Sequence, residues 1–75
     1  MEKINSIKTL GNLIRQTRID QGLTQEQLAA SCGFGLRFIR EVEQGKETCH
    51  IGKVLYVMQM LGIDFIAKKR GGLYS

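Results

Sequence analysis

Hydrophobic side chains recur at helical spacing through most of the chain, and glycines fall where that spacing breaks. Ile7, Leu10, Ile14 and Thr17 repeat at three- and four-residue steps along one face, which Leu13 widens, and Ser6 stands where an N-terminal cap belongs. The spacing predicts a first helix over residues 7–21 that stops at Gly22, after which Leu23 enters the core. Thr24 caps a second, short helix over 25–32, and Gln27 three residues on completes a capping-box pattern, with the Gln25 side chain pointing outward. Gly33-Phe34 turns the chain into a third helix over 36–44, which Gly45 ends. A fourth helix begins between Thr48 and Ile51 and ends at Gly62. It carries Ile51, Val54, Leu55, Met58 and Leu61 on one face, with Val57 widening the stripe and Tyr56 and Met60 at its margin or under a partner chain.

After Gly62 the periodicity changes. Ile63, Phe65 and Ala67 alternate with Asp64, Ile66 and Lys68, which predicts a short strand over 63–69. A lone strand in a helical chain has nothing to pair with, so its open backbone invites the same strand of a second copy. Ile63, Phe65, Ile66 and Ala67 are therefore the dimerisation candidates, while the terminal GGLYS, residues 71–75, should fray.

The stretch that organises the rest is LTQEQLAASCGFGLRFIREVEQGK, residues 23–46. Leu28, Ala29, Gly33, Ile39 and Val42 fall where two helices crossing steeply need an anchor, a small residue, a turn residue and two core residues. This is helix-turn-helix spacing, with the motif at about residues 24–44. Ala29 lets the helix axes approach, and Gly33 supplies the positive φ that closes the first of the two helices. The predicted fold is all-α: one domain over 1–75 with four helices, or five, and a C-terminal strand paired across a dimer.

LTQEQLAASCGFG followed by EVEQGK resembles the XRE-type helix-turn-helix repressors of bacteria and phages, over residues 10–62. GLRFIREVEQGKETCHIGKVLYVMQMLGI, with SIKTLGNLIRQTR before it, is similar more narrowly to antitoxins of the HipB type, encoded beside a HipA-type protein kinase toxin. That narrower likeness rests on the Phe38-Ile39-Arg40-Glu41 run, the GKETC linker and the short apolar tail. It implies a homodimer on a palindromic operator at its own promoter, a HipA-like serine/threonine kinase as partner, and a two-chain ribbon built from the tail. In some related operons a separate small protein neutralises the kinase, and the antitoxin-like chain is then only the DNA-binding subunit.

Composition narrows the alternatives. At 75 residues a single core is near the lower limit of stability, so dimerisation is also a physical expectation. Apolar residues make up 43% of the chain, yet no run reaches the length of a membrane span, and the N-terminus lacks a secretion signal. A cytoplasmic, nucleoid-associated protein is expected. Net charge is +4 and the pI about 9.4, which favours a polyanion without reducing binding to charge alone. Cys32 and Cys49 are the only cysteines, and a reducing cytosol leaves them structural or neutral.

In a helix-turn-helix the second helix of the motif enters the major groove and presents its N-terminal side chains to base edges. Since Ile39 and Val42 face inward, Gly35, Leu36, Arg37, Phe38, Arg40 and Glu41 are the readout candidates. Arg37, near the helix start, can grip guanine O6 and N7 with two bonds, worth roughly 1–3 kcal/mol of discrimination; the plain alternative is a solvated arginine. Leu36 or Phe38 offers an apolar partner to a thymine methyl, or Phe38 packs against a neighbour. Arg40 has the reach for phosphate or base, and Glu41 either accepts from cytosine N4 or points away from phosphate. Lys46 is placed for phosphate. The resemblance assigns Gln25 a phosphate contact, with simple helix-start polarity as the plain alternative. It makes Arg18 and Glu43 a salt bridge joining the first and third helices, with Arg18 on phosphate as an alternative that need not exclude it. Family repressors carry polar groups at the positions of Leu36 and Phe38, so the target sequence does not follow from the likeness.

Other classes fit less well. Cys32, Cys49, His50 and scattered carboxylates are too little for an enzyme, a metal cage or a cofactor site, and no glycine loop cradles a phosphate. Lys68, Lys69 and Arg70 lack the lipid anchor or amphipathic face of a membrane binder and read first as solvated charge. A stand-alone XRE-type regulator and a protein-only adaptor are the competing readings. Arg37, Arg40, Gln25 and Lys46 on one face favour DNA over the adaptor.

Overall fold

The computed structural model describes residues 4–47, 50–67 and 69. Its helices are α1 (Ile7–Asp20), α2 (Gln25–Cys32), α3 (Leu36–Glu43) and α4 (Ile51–Met60). Each starts and stops for a local reason. The Ser6 hydroxyl accepts the Thr9 amide at 3.1 Å to open α1. At α2 both halves of the capping box form: Thr24 Oγ1 accepts the Gln27 amide at 3.0 Å, and Gln27 Oε1 accepts the Thr24 amide at 2.8 Å. Gly33 closes α2 with φ +71°, and the Phe34 amide returns to the Ala29 carbonyl at 3.0 Å. Open space surrounds Gly33, so a side chain there is penalised by the backbone angle rather than by a clash.

The helices bury a common core. Leu10 and Ile14 of α1 meet Leu28, Ala29 and Cys32 of α2, Ile39 and Val42 of α3, and Val54, Val57 and Met58 of α4, with Leu61 behind them. The α3 helix packs on both α1 and α2, and α4 packs on α2. Between α1 and α3 the backbones nearly touch, because a Cβ on Gly11 would strike the Val42 carbonyl oxygen. Gly45 makes a similar approach, its Cβ position lying 2.6 Å from Lys8 Cα.

Three expectations need adjustment. Helices α1 and α3 each end one residue early, with Gln21 and Gln44 as their C-caps. The buried stripe of α4 is Val54, Val57, Met58 and Leu61; Val57 lies inside it rather than beside it. At 100° per residue that stripe leaves Ile51 and Leu55 on its outer flank, and both are exposed. Finally, no strand and no fifth helix occur among the described residues. Ile63 packs on the core while residues 64–67 are exposed without regular structure, since a strand needs ladder bonds that a single chain does not offer. Cys49, Lys68, Arg70 and the 71–75 terminus lie outside the described residues.

Candidate functional site

Helix α3 divides its charges between two faces. Glu43 points inward, and its carboxylate takes the Arg18 guanidinium side-on, with Arg18 Nε 2.6 Å from Oε2 and Nη2 3.1 Å from Oε1. Arg18 Nη1 also donates to the Leu23 carbonyl at 2.7 Å, and Gln25 Nε2 donates to Glu43 Oε1 at 3.0 Å. This buried network ties the end of α1, the loop after it and the start of α2 to the end of α3. Every side-chain nitrogen and oxygen buried among the described residues has a hydrogen-bond partner, as a low-dielectric interior requires. The Gln25 side chain is thus not simply outward: it is half-buried, with its amide anchored on Glu43.

Two residues earlier, roughly 200° around the helix, Glu41 faces the opposite way. Its Oε2 accepts from Arg37 Nε at 3.2 Å and from Lys46 Nζ at 3.0 Å. The Arg37 side chain is 88% exposed, that of Lys46 48% and that of Glu41 26%. The Lys46 hydrogen bond, against an opposing push from desolvation and with the Arg37 hydrogen bond adding to it, holds the Glu41 carboxyl below the ordinary glutamate range. Of the two roles open to Glu41, neither anticipates this one: in the free chain it is the shared counterion of two neighbouring cations.

The other candidates fall around this trio. Gly35 is the exposed N-cap of α3, Arg40 is exposed, and Leu36 is half-buried. Phe38 is half-buried against the core, its ring edge-on to Phe34 at 5.4 Å, so packing against a neighbour describes it here. Phe34 in turn meets Tyr56 at 5.7 Å, and Lys53 Nζ sits 5.5 Å from the Phe34 ring and 5.7 Å from the Phe38 ring. This aromatic cluster bridges the turn, α3 and α4, and Phe34 and Lys53 were not among the expected site residues. Gly11 was missed as well, although a glycine between Leu10 and Ile14 on a buried helix face is a signal of close backbone approach.

Cys32 is buried, which pushes its thiol up and leaves it a poor nucleophile at neutral pH. His50 is the exposed N-cap of α4 and makes no side-chain cap bond. Among the described residues no three metal-ligating side chains gather, and no helix is long and apolar enough to cross a membrane.

A four-helix arrangement with α2 and α3 meeting at a glycine turn, a dry ionic clasp below and exposed cations above, finds close counterparts. The helix-turn-helix domain family matches residues 9–65. The chain belongs to that helix-turn-helix family. A relative in Sinorhizobium fredii, the uncharacterized HTH-type transcriptional regulator y4mF, is 47% identical over 68 residues, covering 88% of this chain and 90% of the relative. Among solved structures, a chain of a HipA-HipB-O2-O3 complex superposes with a TM-score of 0.84 at 22% identity, over 95% of this chain and 100% of that one. A chain of a HipB-O4 20mer complex does so with a TM-score of 0.83 at 22% identity, over the same shares. At that identity the likeness is one of fold. This helix-turn-helix chain therefore has the HipB architecture, and the XRE-type resemblance and the compact four-helix fold are both found.

Proposed function

We propose that the chain is a sequence-specific DNA-binding repressor, one domain acting as a homodimer on a palindromic operator of its own promoter, in the cytoplasm on the nucleoid. The observation that carries this is the outward face of α3, where Arg37 and Arg40 stand exposed with Lys46 just beyond the helix end, on a helix clamped from below by the Arg18–Glu43–Gln25 network. A recognition helix must be held rigidly to place an arginine against guanine, and phosphate-directed cations beside it supply register. Gln25, steadied through one amide hydrogen on Glu43, keeps another donor for a phosphate. Gly35 at the helix start permits close approach, while Leu36 is the remaining apolar contact for a thymine methyl.

The dimer contact uses the flank that the chain leaves uncovered. Tyr56 and Met60 on α4, and Phe65 and Ile66 after it, are large apolar side chains at the surface. Pairing of residues 63–67 with their counterparts would give that segment the ladder it lacks alone, together with Ile63 and Ala67. Two recognition helices would then meet half-sites about one helical turn apart, roughly 34 Å.

Within this reading the chain is the DNA-binding antitoxin of a HipBA-like operon with a HipA-like kinase as second partner. Support comes from the fold shared with HipB, which the solved complex pairs with HipA. The alternative is a stand-alone XRE-type regulator, favoured by y4mF, a relative named only as a transcriptional regulator. Binding of the purified chain to its promoter duplex and to a scrambled duplex across a salt series tests the DNA reading. Preferential binding of two chains per site, weakened roughly tenfold or more by Arg37→Ala, is the expected result. Equal, weak and salt-labile binding to both duplexes would overturn it. A kinase-like protein that copurifies with the chain from its native host separates antitoxin from stand-alone regulator.

A further inference from the structure

The carboxylate at the centre of the exposed face is at odds with a surface meant for a polyanion. Glu41 would be repelled by phosphate, yet it lies on α3 between the two cations that the DNA reading needs most, and it accepts from both through one oxygen, Oε2. The atoms used are informative. Arg37 spends Nε on Glu41, at 3.2 Å, and among the described residues Nη1 and Nη2 make no hydrogen bond at the far end of an 88% exposed side chain. Those two nitrogens form the end-on edge that spans O6 and N7 of a guanine. Lys46 has one hydrogen on the same oxygen and two left over.

We infer that Glu41 is a positioning residue for base discrimination: its carboxylate buttresses Arg37 in an end-on orientation and keeps Lys46 and Arg37 from acting as free phosphate-seeking charges. The inference rests on the DNA-binding reading above. Two consequences follow from one contact. An arginine held by a second-layer acceptor loses less freedom when it meets its base, so the correct sequence is favoured. A cation already paired contributes less to charge-only binding, so the wrong sequence is disfavoured. Glu41 thus acts by raising the ratio between the two, while leaving the absolute affinity for DNA lower than an uncharged residue would.

The test compares the full-length chain with Glu41→Ala, which removes the acceptor and the charge, and Glu41→Gln, which removes the charge alone. Alanine is a good helix former, so α3 is retained, as circular dichroism would verify. With the promoter duplex and a scrambled duplex of equal length as probes, Glu41→Ala is expected to bind the scrambled duplex more tightly and to lose roughly tenfold in preference for the promoter. Its salt slope should steepen by about one unit, as one more phosphate is neutralised. Glu41→Gln should fall between the two. In an Arg37→Ala background the same change should cost clearly less preference than in the wild-type chain, because the share that runs through Arg37 is already gone and only the release of Lys46 remains. If wild type prefers the promoter and Glu41→Ala keeps the whole of that preference, Glu41 has no such role. If wild type shows no preference, the DNA-binding reading itself fails and takes this inference with it.

Discussion

Glu41 and Glu43 stand two residues apart on one helix and each pairs with an arginine, at 3.2 and 2.6 Å, yet they belong to different kinds of structure. The Glu43 side chain is 2% exposed and its acceptor oxygens are filled by Arg18 and Gln25. Its pair is dry, two-pronged and joined to the backbone at Leu23. The Glu41 pair is wet, held through a single oxygen, and shared with a lysine that water also reaches. Helical rotation alone separates the two, and burial decides what each can do. A desolvated pair cannot be broken cheaply, because the survivor is left as a buried charge. A solvated pair can exchange its partner for a ligand at little cost, which suits a surface that must bind and release.

The contrast is broken most sharply by removing one member of the dry pair. Glu43→Ala strands the Arg18 guanidinium and is expected to destabilise the fold by about 3–5 kcal/mol, read as a lowered denaturant midpoint. For a chain of 75 residues that is a large share of the total stability, so the variant should be partly unfolded at ambient temperature. A midpoint within error of wild type would mean that the buried network contributes far less than its geometry implies. Arg37→Ala, the corresponding change on the outer face, should leave the midpoint almost unmoved.

Next in size is the backbone contact that makes the dry pair reachable. Gly11 lets α1 lie against α3 where Arg18 and Glu43 must meet, and a Cβ there would run into the carbonyls of Val42 and Glu43. Gly11→Ala would ordinarily favour a helix, but here the expected sign is reversed, a loss of about 1–3 kcal/mol from overpacking. Thermal melts of Gly11→Ala beside a control substitution at an exposed α1 position, such as Asn12→Ala, give the comparison. A stabilised Gly11→Ala would show that the two helices part without cost.

A smaller effect is expected at the junction of the two regions. Gln25→Ala removes one donor from Glu43 while Arg18 remains, so the loss should be about 1 kcal/mol, with a larger effect on promoter binding than on stability. If stability falls as far as in Glu43→Ala, Gln25 belongs to the clasp and not to the binding face.

How much of this was legible beforehand depended on whether a residue's role is set locally. The α2 helix, its capping box and the Gly33 turn follow from neighbouring residues, and their positions match the spacing of Thr24, Gln27 and Gly33. The compact four-helix plan was legible for the same reason. The stripe of α4 was displaced because Ile51 and Leu55 are as apolar as Val54 and Val57, and only packing against α2 chooses among them. The outward reading of Gln25 rests on its place at the start of α2, which cannot reveal an acceptor eighteen residues away on another helix. The Lys46–Glu41 contact crosses the end of α3, where helical spacing no longer applies. For Phe38 the sequence allows either a thymine methyl or a packing neighbour, and the adjacent Phe34 ring favours the second.

The smallest effect concerns Glu41 and acid, and its sign follows from the direction in which the carboxyl is moved. Lys46 and Arg37 lower its pKa in the folded chain, so the contribution is fully present above the unfolded value, about 4.3 for an ordinary glutamate. It fades as the pH falls through the folded value, where the carboxyl takes up its proton and the trio disperses. The stability difference between wild type and Glu41→Gln should therefore be small at about pH 7, where wild type is favoured, and should vanish toward about pH 2. Added salt should shrink it further, since the group is open to solvent. Denaturant unfolding of both chains at the two pH values, with and without salt, measures it. A difference that persists undiminished in acid would have to arise from something other than ionised Glu41, and the description of the outer face as an exchangeable charge trio would then be wrong.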